Sequence, residues 1–251
     1  MNGTNLPGPD ETLDVLACGG LDVIQKKRGY RYSLDAYLLA AFVDEAPGTR
    51  VLEIGSGSGV VAMMLARVKD LRVTGVEIQE ELAGMSLRSI ARQGLQDLVD
   101  IVCADIRDYR GPKVEAVVAN PPFRPLGSGR INPDRQKAIA RHEITLDLGM
   151  VLERSQELLE PRGRLYLVYP TWRLADAVSA MRENRMEPKR LRFVHTKAGS
   201  CSEICLVCGV KGGGRGVVVE APLAVYSDDG SYHPAMERAM KELSLEKKAL
   251  T

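Results

Sequence analysis

The sequence predicts an α/β protein built on a mostly parallel sheet, and three observations carry that prediction. Short apolar strands alternate with helices across residues 50–119, at the spacing of successive βαβ units. The first strand runs straight into Gly55-Ser56-Gly57-Ser58-Gly59 and an apolar helix. Glycines or polar residues stand at four consecutive strand ends: the Gly55 to Gly59 loop, Glu77, Asp105 and Asn120. Right-handed crossovers place those ends along one edge of the sheet, which is where open α/β folds bind ligands.

Taken in order, residues 1–12 read as a poorly ordered lead and residues 13–32 as a small β-rich cap of short apolar pieces broken by glycine and basic residues. The lead and cap (1–32) precede a main domain over 33–230, and residues 231–251 form a C-terminal surface helix. Ser33 is placed to cap a helix over 34–43, whose apolar face is Leu34, Leu38, Leu39, Ala41 and Phe42. Asp35 falls in its first turn and favours the helix dipole. Strands follow at 50–54, 72–76, 98–103 and 114–119, with helices at 60–68 and 79–93. The fourth strand must stop at Asn120, because Pro121 and Pro122 lack N–H donors and fix φ. Thr145 starts a helix to residue 160, Pro161-Arg162-Gly163 turns into a strand at 164–169, and Thr171 caps a helix to residue 184. Strands at 191–195 and 202–210 read as an antiparallel edge hairpin with residues 197–201 as its exposed loop. Residues 212–216 form a flexible joint before 217–226, and 234–249 read as a charged surface helix.

Composition narrows the class. A chain of 251 residues, 45% of them hydrophobic, has room for a sizeable core. The first ten residues have neither a basic start nor an apolar run, and nothing approaches bilayer-spanning length, so a cytoplasmic protein without a membrane partner is expected. Five cysteines form no disulfide framework. Cys201, Cys205 and Cys208 lack a paired C-x-x-C and a fourth ligand, which favours buried thiols and no metal site. A net charge of +1 argues against a wholesale polyanion binder, yet basic residues cluster. Lys26, Lys27, Arg28 and Arg31 form one group, Arg124, Arg130, Arg135, Lys137 and Arg141 a second, and Arg185, Lys189, Arg190, Arg192 and Lys197 a third. Such segments suit a phosphate backbone, and they also suit ordinary solvated loops and helix faces.

The Asn120-Pro121-Pro122-Phe123 stretch is the chemical centre. A residue before proline is held extended, so the Asn120 side chain and the Pro121 carbonyl sit in nearly one arrangement beside the Phe123 ring. Two such acceptors can orient a planar nitrogen, whether an adenine amine or a glutamine amide, and favour its tetrahedral form while the ring holds the attached plane. The same residues also make a plain turn after a strand. On the cofactor side the spacing is G-x-G-x-G, not the G-x-G-x-x-G of a dinucleotide fold, and Glu53 stands inside the strand. An acid there repels a pyrophosphate and attracts an amino-bearing ligand. Glu77 can accept from two ribose hydroxyls and Asp105 from an adenine amine, preferences that fit S-adenosylmethionine better than NAD or ATP.

Together, residues 51–59 (VLEIGSGSG), Gly75-Val76-Glu77, Ala104-Asp105 and Asn120-Pro121-Pro122-Phe123 resemble a class I S-adenosylmethionine-dependent methyltransferase with the N-P-P-[FY] motif. More closely, residues 30–40 (YRYSLDAYLLA), the ANPPF run and Ala140-Arg141-His142-Glu143 resemble the bacterial family that methylates adenine N6 in valine tRNA next to its anticodon. The likeness spans residues 15–230. It implies a Rossmann-like, mostly parallel seven-stranded sheet with an antiparallel edge hairpin and helices on both faces. It further implies that Gly55, Gly57 and Gly59 let the backbone approach the methionine part of S-adenosylmethionine, with Glu53 near its amino group. Glu77 with Ile78 would hold the ribose side, and Asp105 with Ile106 the adenine. Arg31, Ser33 and Asp35 match a segment that closes over the pocket.

On the same resemblance, Asn120 and Pro121 take the target amine and Phe123 stacks on a base flipped out of the RNA. Phe123 replaces the tyrosine of many relatives, which preserves stacking and removes a hydroxyl. Pro122 of the motif would meet the substrate together with Arg124, Arg130 and Arg141, which lie in a basic loop over 124–143 that orders on it. His142, between Arg141 and Glu143, is read as a neutral or salt-bridged residue outside the catalytic set. A protein glutamine N5-methyltransferase, which uses the same motif, and a non-catalytic RNA- or cofactor-binding protein are the alternative readings.

Overall fold

The computed structural model describes residues 5–16, 20–29, 31–121 and 147–243. An N-terminal hairpin, β1 (Glu11–Val15) and β2 (Asp22–Lys26), pairs antiparallel with Leu13 opposite Ile24. The main sheet follows from the βαβ rhythm of the sequence: α1 (Leu34–Phe42), β3 (Arg50–Ile54), α2 (Val60–Lys69), β4 (Arg72–Glu77), α3 (Glu80–Gln93), β5 (Val99–Cys103) and β6 (Val114–Ala119). After the undescribed stretch come α4 (Leu148–Leu158), β7 (Leu159–Pro170), a 3-10 turn at Thr171–Arg173, α5 (Leu174–Glu183), β8 (Met186–Lys197) and β9 (Ser202–Lys211). Two short strands, β10 (Val218–Val219) and β11 (Leu223–Tyr226), and α6 (Pro234–Glu242) complete the described chain.

The strand order is β10-β8-β9-β7-β6-β3-β4-β5. Strands β5, β4, β3, β6 and β7 run parallel, and β9 pairs antiparallel with both β7 and β8. The seven expected strands are therefore present with their edge hairpin, and β10 and β11 extend the sheet by pairing parallel to β8. From β3 the chain moves outward through β4 to β5, then resumes on the other side at β6. The switch in strand order thus falls between β3 and β6, and this is where such sheets open a crevice at their carboxyl ends.

Alternation along the strands feeds two cores. Val51 and Val118 join Leu39 of α1, Met63 and Leu65 of α2 and Met236 of α6 on one face. Leu52, Ile54, Val117 and Ala119 join Val151 and Leu152 of α4 and Ala177 and Met181 of α5 on the other. The hairpin packs on α3 through Ile24, Leu82 and Met85, and the Ile24 N–H donates to Ser89 Oγ at 2.9 Å.

Local details depart from the sequence reading. Ser33 occupies the N-cap position of α1 without capping it, and its hydroxyl donates to Asp35 at 2.9 Å instead. Thr145 lies outside the described residues, and α4 is capped by Asp147, which accepts the Met150 N–H at 2.7 Å. Pro161-Arg162-Gly163 is not a turn ahead of a strand. It lies within β7, where the register against β6 shifts and Arg162 takes φ 68°. Thr171 opens the 3-10 turn, and the α-helix begins only at Leu174. Cys205 and Cys208 are buried in β9 as expected, whereas Cys201 is exposed.

Leu152 is fully buried between α4 and the sheet, so Leu152→Ala should cost about 2–5 kcal/mol. Val218→Ala, on the exposed β10, should stay within about 0.5 kcal/mol. Urea unfolding of the two variants checks the pair.

Candidate active site

The loop after β3 is fixed by its neighbours before any ligand is considered. The Gly55 and Ser56 N–H groups both donate to the Val76 carbonyl, at 2.9 and 3.2 Å. Gly59 takes φ 74°, and a Cβ there would lie 3.1 Å from Ser86 Cβ and Oγ. Only glycine meets both demands at low cost. Gly75 in β4 is needed for space, since a Cβ would come within 2.6 Å of Ile101 and 2.8 Å of Ser56. Ser86 Oγ donates to the Gly57 carbonyl at 2.8 Å, which draws α3 against the loop.

Two buried acids complete the frame. Glu77, 1% exposed, accepts the Gly57 N–H at 2.8 Å on one oxygen and the Gln79 N–H at 2.9 Å on the other. Glu53, 5% exposed, reaches from inside β3 to accept the Ala62 N–H of α2 at 3.0 Å. It supplies the side-chain cap that Gly59 cannot. Burial pushes the Glu53 carboxyl well above the ordinary carboxylate range, the Ala62 hydrogen bond opposes this, and the charge of Glu77 adds to the rise.

Along the same edge Ile78 is 40% exposed just past β4, while Ile106 is buried in the second core. Asp105 accepts the Arg107 backbone N–H at 2.9 Å and Arg107 Nε at 3.0 Å. The Arg107 guanidinium holds the Asp105 carboxyl below its usual range. Ile54 pairs with Ala119, so Gly55 and Asn120 leave adjacent strands side by side. Asn120 is half-buried and Pro121 is buried. Among the described residues no hydrogen-bond partner takes the Asn120 amide. Pro122, Phe123, Arg124, Arg130 and Arg141 lie outside the described residues, as does His142. Arg31 turns to the N-terminal hairpin, paired with Asp14 and donating to Thr12 Oγ1 at 3.1 Å, while Ser33 bonds Asp35.

Several features of the site are absent from the sequence reading. Gln79, Ser86 and Ala62 enter through the backbone or a hydroxyl, and Arg107 through its closeness to Asp105, for which a basic residue two positions on was the one available signal. The Ser56 and Ser58 hydroxyls are buried, and neither has a partner among the described residues. A left-handed glycine loop, two hydroxyls and one amide without partners among the described residues, and a half-exposed isoleucine together fit an adenosyl ligand with an amino-acid tail.

The basic segments are more engaged than their composition implied. Lys26 pairs with Glu81 and Arg31 with Asp14, while Lys27 Nζ donates to the Pro9 carbonyl at 2.7 Å. Arg190 and Arg192 share Glu220 at 2.6 and 2.5 Å. Lys189 and Lys197 donate to the carbonyls of Gly214 and Asp228.

Residues 33–184 match the model of the methyltransferase small domain. The chain belongs to that family. This methyltransferase is 34% identical over 194 residues to the tRNA1(Val) (adenine(37)-N6)-methyltransferase of Porphyromonas gingivalis, covering 73% of its own length and 75% of the relative's. It is 32% identical over 185 residues to the protein of the same name from Bacteroides thetaiotaomicron, covering 72% and 77%. Its fold is similar to that of a protein described as a predicted O-methyltransferase from Agrobacterium tumefaciens, with TM-score 0.65, 19% identity and 83% and 96% of the two chains covered. It is also similar to TrmN from Thermus thermophilus, with TM-score 0.52, 25% identity and 70% and 48% covered.

The raised pKa of Glu53 fixes the sign of a pH effect. Its ordinary value is 4.5, so between that value and the raised one the folded methyltransferase binds a proton that the unfolded chain has lost. Stability therefore falls as pH rises through the window. Glu53→Gln, whose amide oxygen can still accept from Ala62, removes that decline. Thermal unfolding should show the variant gaining on the wild type as pH rises above 4.5, and a pH-independent difference would count against a protonated Glu53.

Proposed function

We propose that this methyltransferase transfers the methyl group of S-adenosylmethionine to the exocyclic N6 of an adenine in RNA, specifically in a tRNA near its anticodon. The observation that carries this reading is the place of Asn120. Its amide, which has no hydrogen-bond partner among the described residues, follows the central strand β6, beside the glycine loop of β3 and at the switch point of the sheet. The relatives' names, which specify adenine N6 of a tRNA, support the substrate class.

The Gly55, Gly57 and Gly59 backbone holds the amino-acid end of the cofactor, with Glu53 beneath it. Glu77 takes the ribose with the oxygen lone pairs that Gly57 and Gln79 leave free. Ile78 and Ile106 flank the adenine, and Asp105 takes its amine in place of Arg107. When bound, S-adenosylmethionine supplies an electrophilic methyl on a sulfonium whose leaving group is a neutral thioether. The Asn120 side-chain oxygen and the Pro121 carbonyl accept from the two N–H bonds of the target amine and aim its lone pair. Phe123 holds the base plane by stacking. The amine proton leaves to solvent afterwards, so the residues act through orientation more than through acid or base chemistry. A tRNA substrate supports reading the protein as cytoplasmic.

The test is transfer of label from S-adenosylmethionine to bulk tRNA and, separately, to RNA-free ribosomal protein and release-factor fractions. Label recovered as N6-methyladenosine in tRNA is the expected result, and label in protein would move the acceptor to glutamine. Asn120→Ala should lower kcat by about 100-fold while leaving the cofactor Kd within about threefold. Single-turnover rates and calorimetry separate the two effects.

A further inference from the structure

An RNA adenine methyltransferase, the reading on which this inference rests, needs contacts for the nucleotides beside its target, and most described cations of the basic segments are engaged elsewhere. The neighbouring strand end offers a different surface. β7 pairs parallel with β6, Leu167 opposite Ala119, and runs on to Pro170, so the chain leaves β7 on the strand neighbouring Asn120, about 10 Å further along the strand direction. There the 3-10 turn is anchored by Thr171, whose hydroxyl shares a hydrogen bond with Ser202 Oγ at 2.8 Å. It presents Trp172, the chain's single tryptophan, 69% exposed. The Arg173 guanidinium lies 5.7 Å from the centroid of that ring and 5.4 Å from that of Tyr169, which fixes it between the core and the indole.

The indole heads a shallow groove along α5 lined by Leu174, Ala175 and Val178. The charges around it, among the described residues, are two cations and three acids. Arg173 pairs with Asp176 at 3.6 Å and Arg182 with Glu187 at 3.3 Å, while Glu183 accepts from Ser179. No surplus of cations invites a phosphate backbone, so this surface suits the face of a base. An exposed indole backed by a guanidinium is the kind of platform on which unpaired RNA bases stack.

We propose that Trp172, backed by Arg173, stacks a nucleotide adjacent to the methylated adenine in an unpaired stretch of the substrate RNA. Because Trp172 is the only tryptophan, emission excited in the indole band, where the tyrosines do not absorb, reports this site alone. Titration with an in vitro transcript of a valine tRNA should quench that emission saturably. Trp172→Ala should raise the KM for the transcript about tenfold, with kcat and the KM for S-adenosylmethionine within about twofold. Trp172→Phe should recover most of the loss, because an aromatic face remains. Emission that the transcript leaves unmoved, together with an unchanged transcript KM in Trp172→Ala, overturns the proposal and leaves N6 methylation standing. An emission shift that follows protein concentration without RNA also overturns it, since it assigns the groove to a second copy of the chain. Absence of N6-methyladenosine with the wild-type protein overturns the RNA reading and this inference with it.

Discussion

A single buried carboxylate ties the site together. Glu77 ends β4 and places one oxygen on the Gly57 N–H and the other on the Gln79 N–H, so the loop after β3 and the entry to α3 are held by one side chain. Away from water these charge-assisted bonds are strong, and loss of the carboxylate would strand two backbone donors. The glycines give the loop its shape, and Glu77 decides which shape it keeps. Gly75 and Ser86 serve the same arrangement from the side, one by making room and the other by gripping the Gly57 carbonyl.

Glu53 works in parallel from the next strand. Its bond to the Ala62 N–H gives α2 an acidic cap in a place where burial penalises charge. The helix N-terminus and the carboxyl therefore share one proton-sensitive contact directly under the glycine loop. Asp105 is the opposite case, an acid kept ionised by the Arg107 guanidinium at a half-open rim. The fully buried acids thus bond backbone N–H groups, and the half-buried one bonds a guanidinium.

The strands were legible because their physics is local. Apolar runs of five or six residues closed by glycine, acid or proline gave β3, β4, β5 and β6 nearly to the residue, and Asn120 with them. Helix starts were less legible. Ser33 and Thr171 have the right chemistry for caps, yet the Ser33 hydroxyl finds Asp35 and the Thr171 hydroxyl finds Ser202. Pro161 and Gly163 signal a turn, but pairing across to β6 draws them into the ladder with a register shift. The strands β10 and β11 are too short to register alone and exist because β8 offers an open edge.

By itself the sequence determined the sheet, the glycine loop, the order of chemistry along the strand ends and the family, since each depends on spacing and residue type within one segment. Only the tertiary structure decided which charges are free. Lys26, Arg31, Arg190 and Arg192 look like a basic surface in the sequence, but their acidic partners come from Glu81, Asp14 and Glu220, distant in the chain. It also decided that the lone tryptophan lies outside the core, in the turn that follows the strand neighbouring β6. Pairing and exposure depend on what folds back against a residue, and that information belongs to the packed chain.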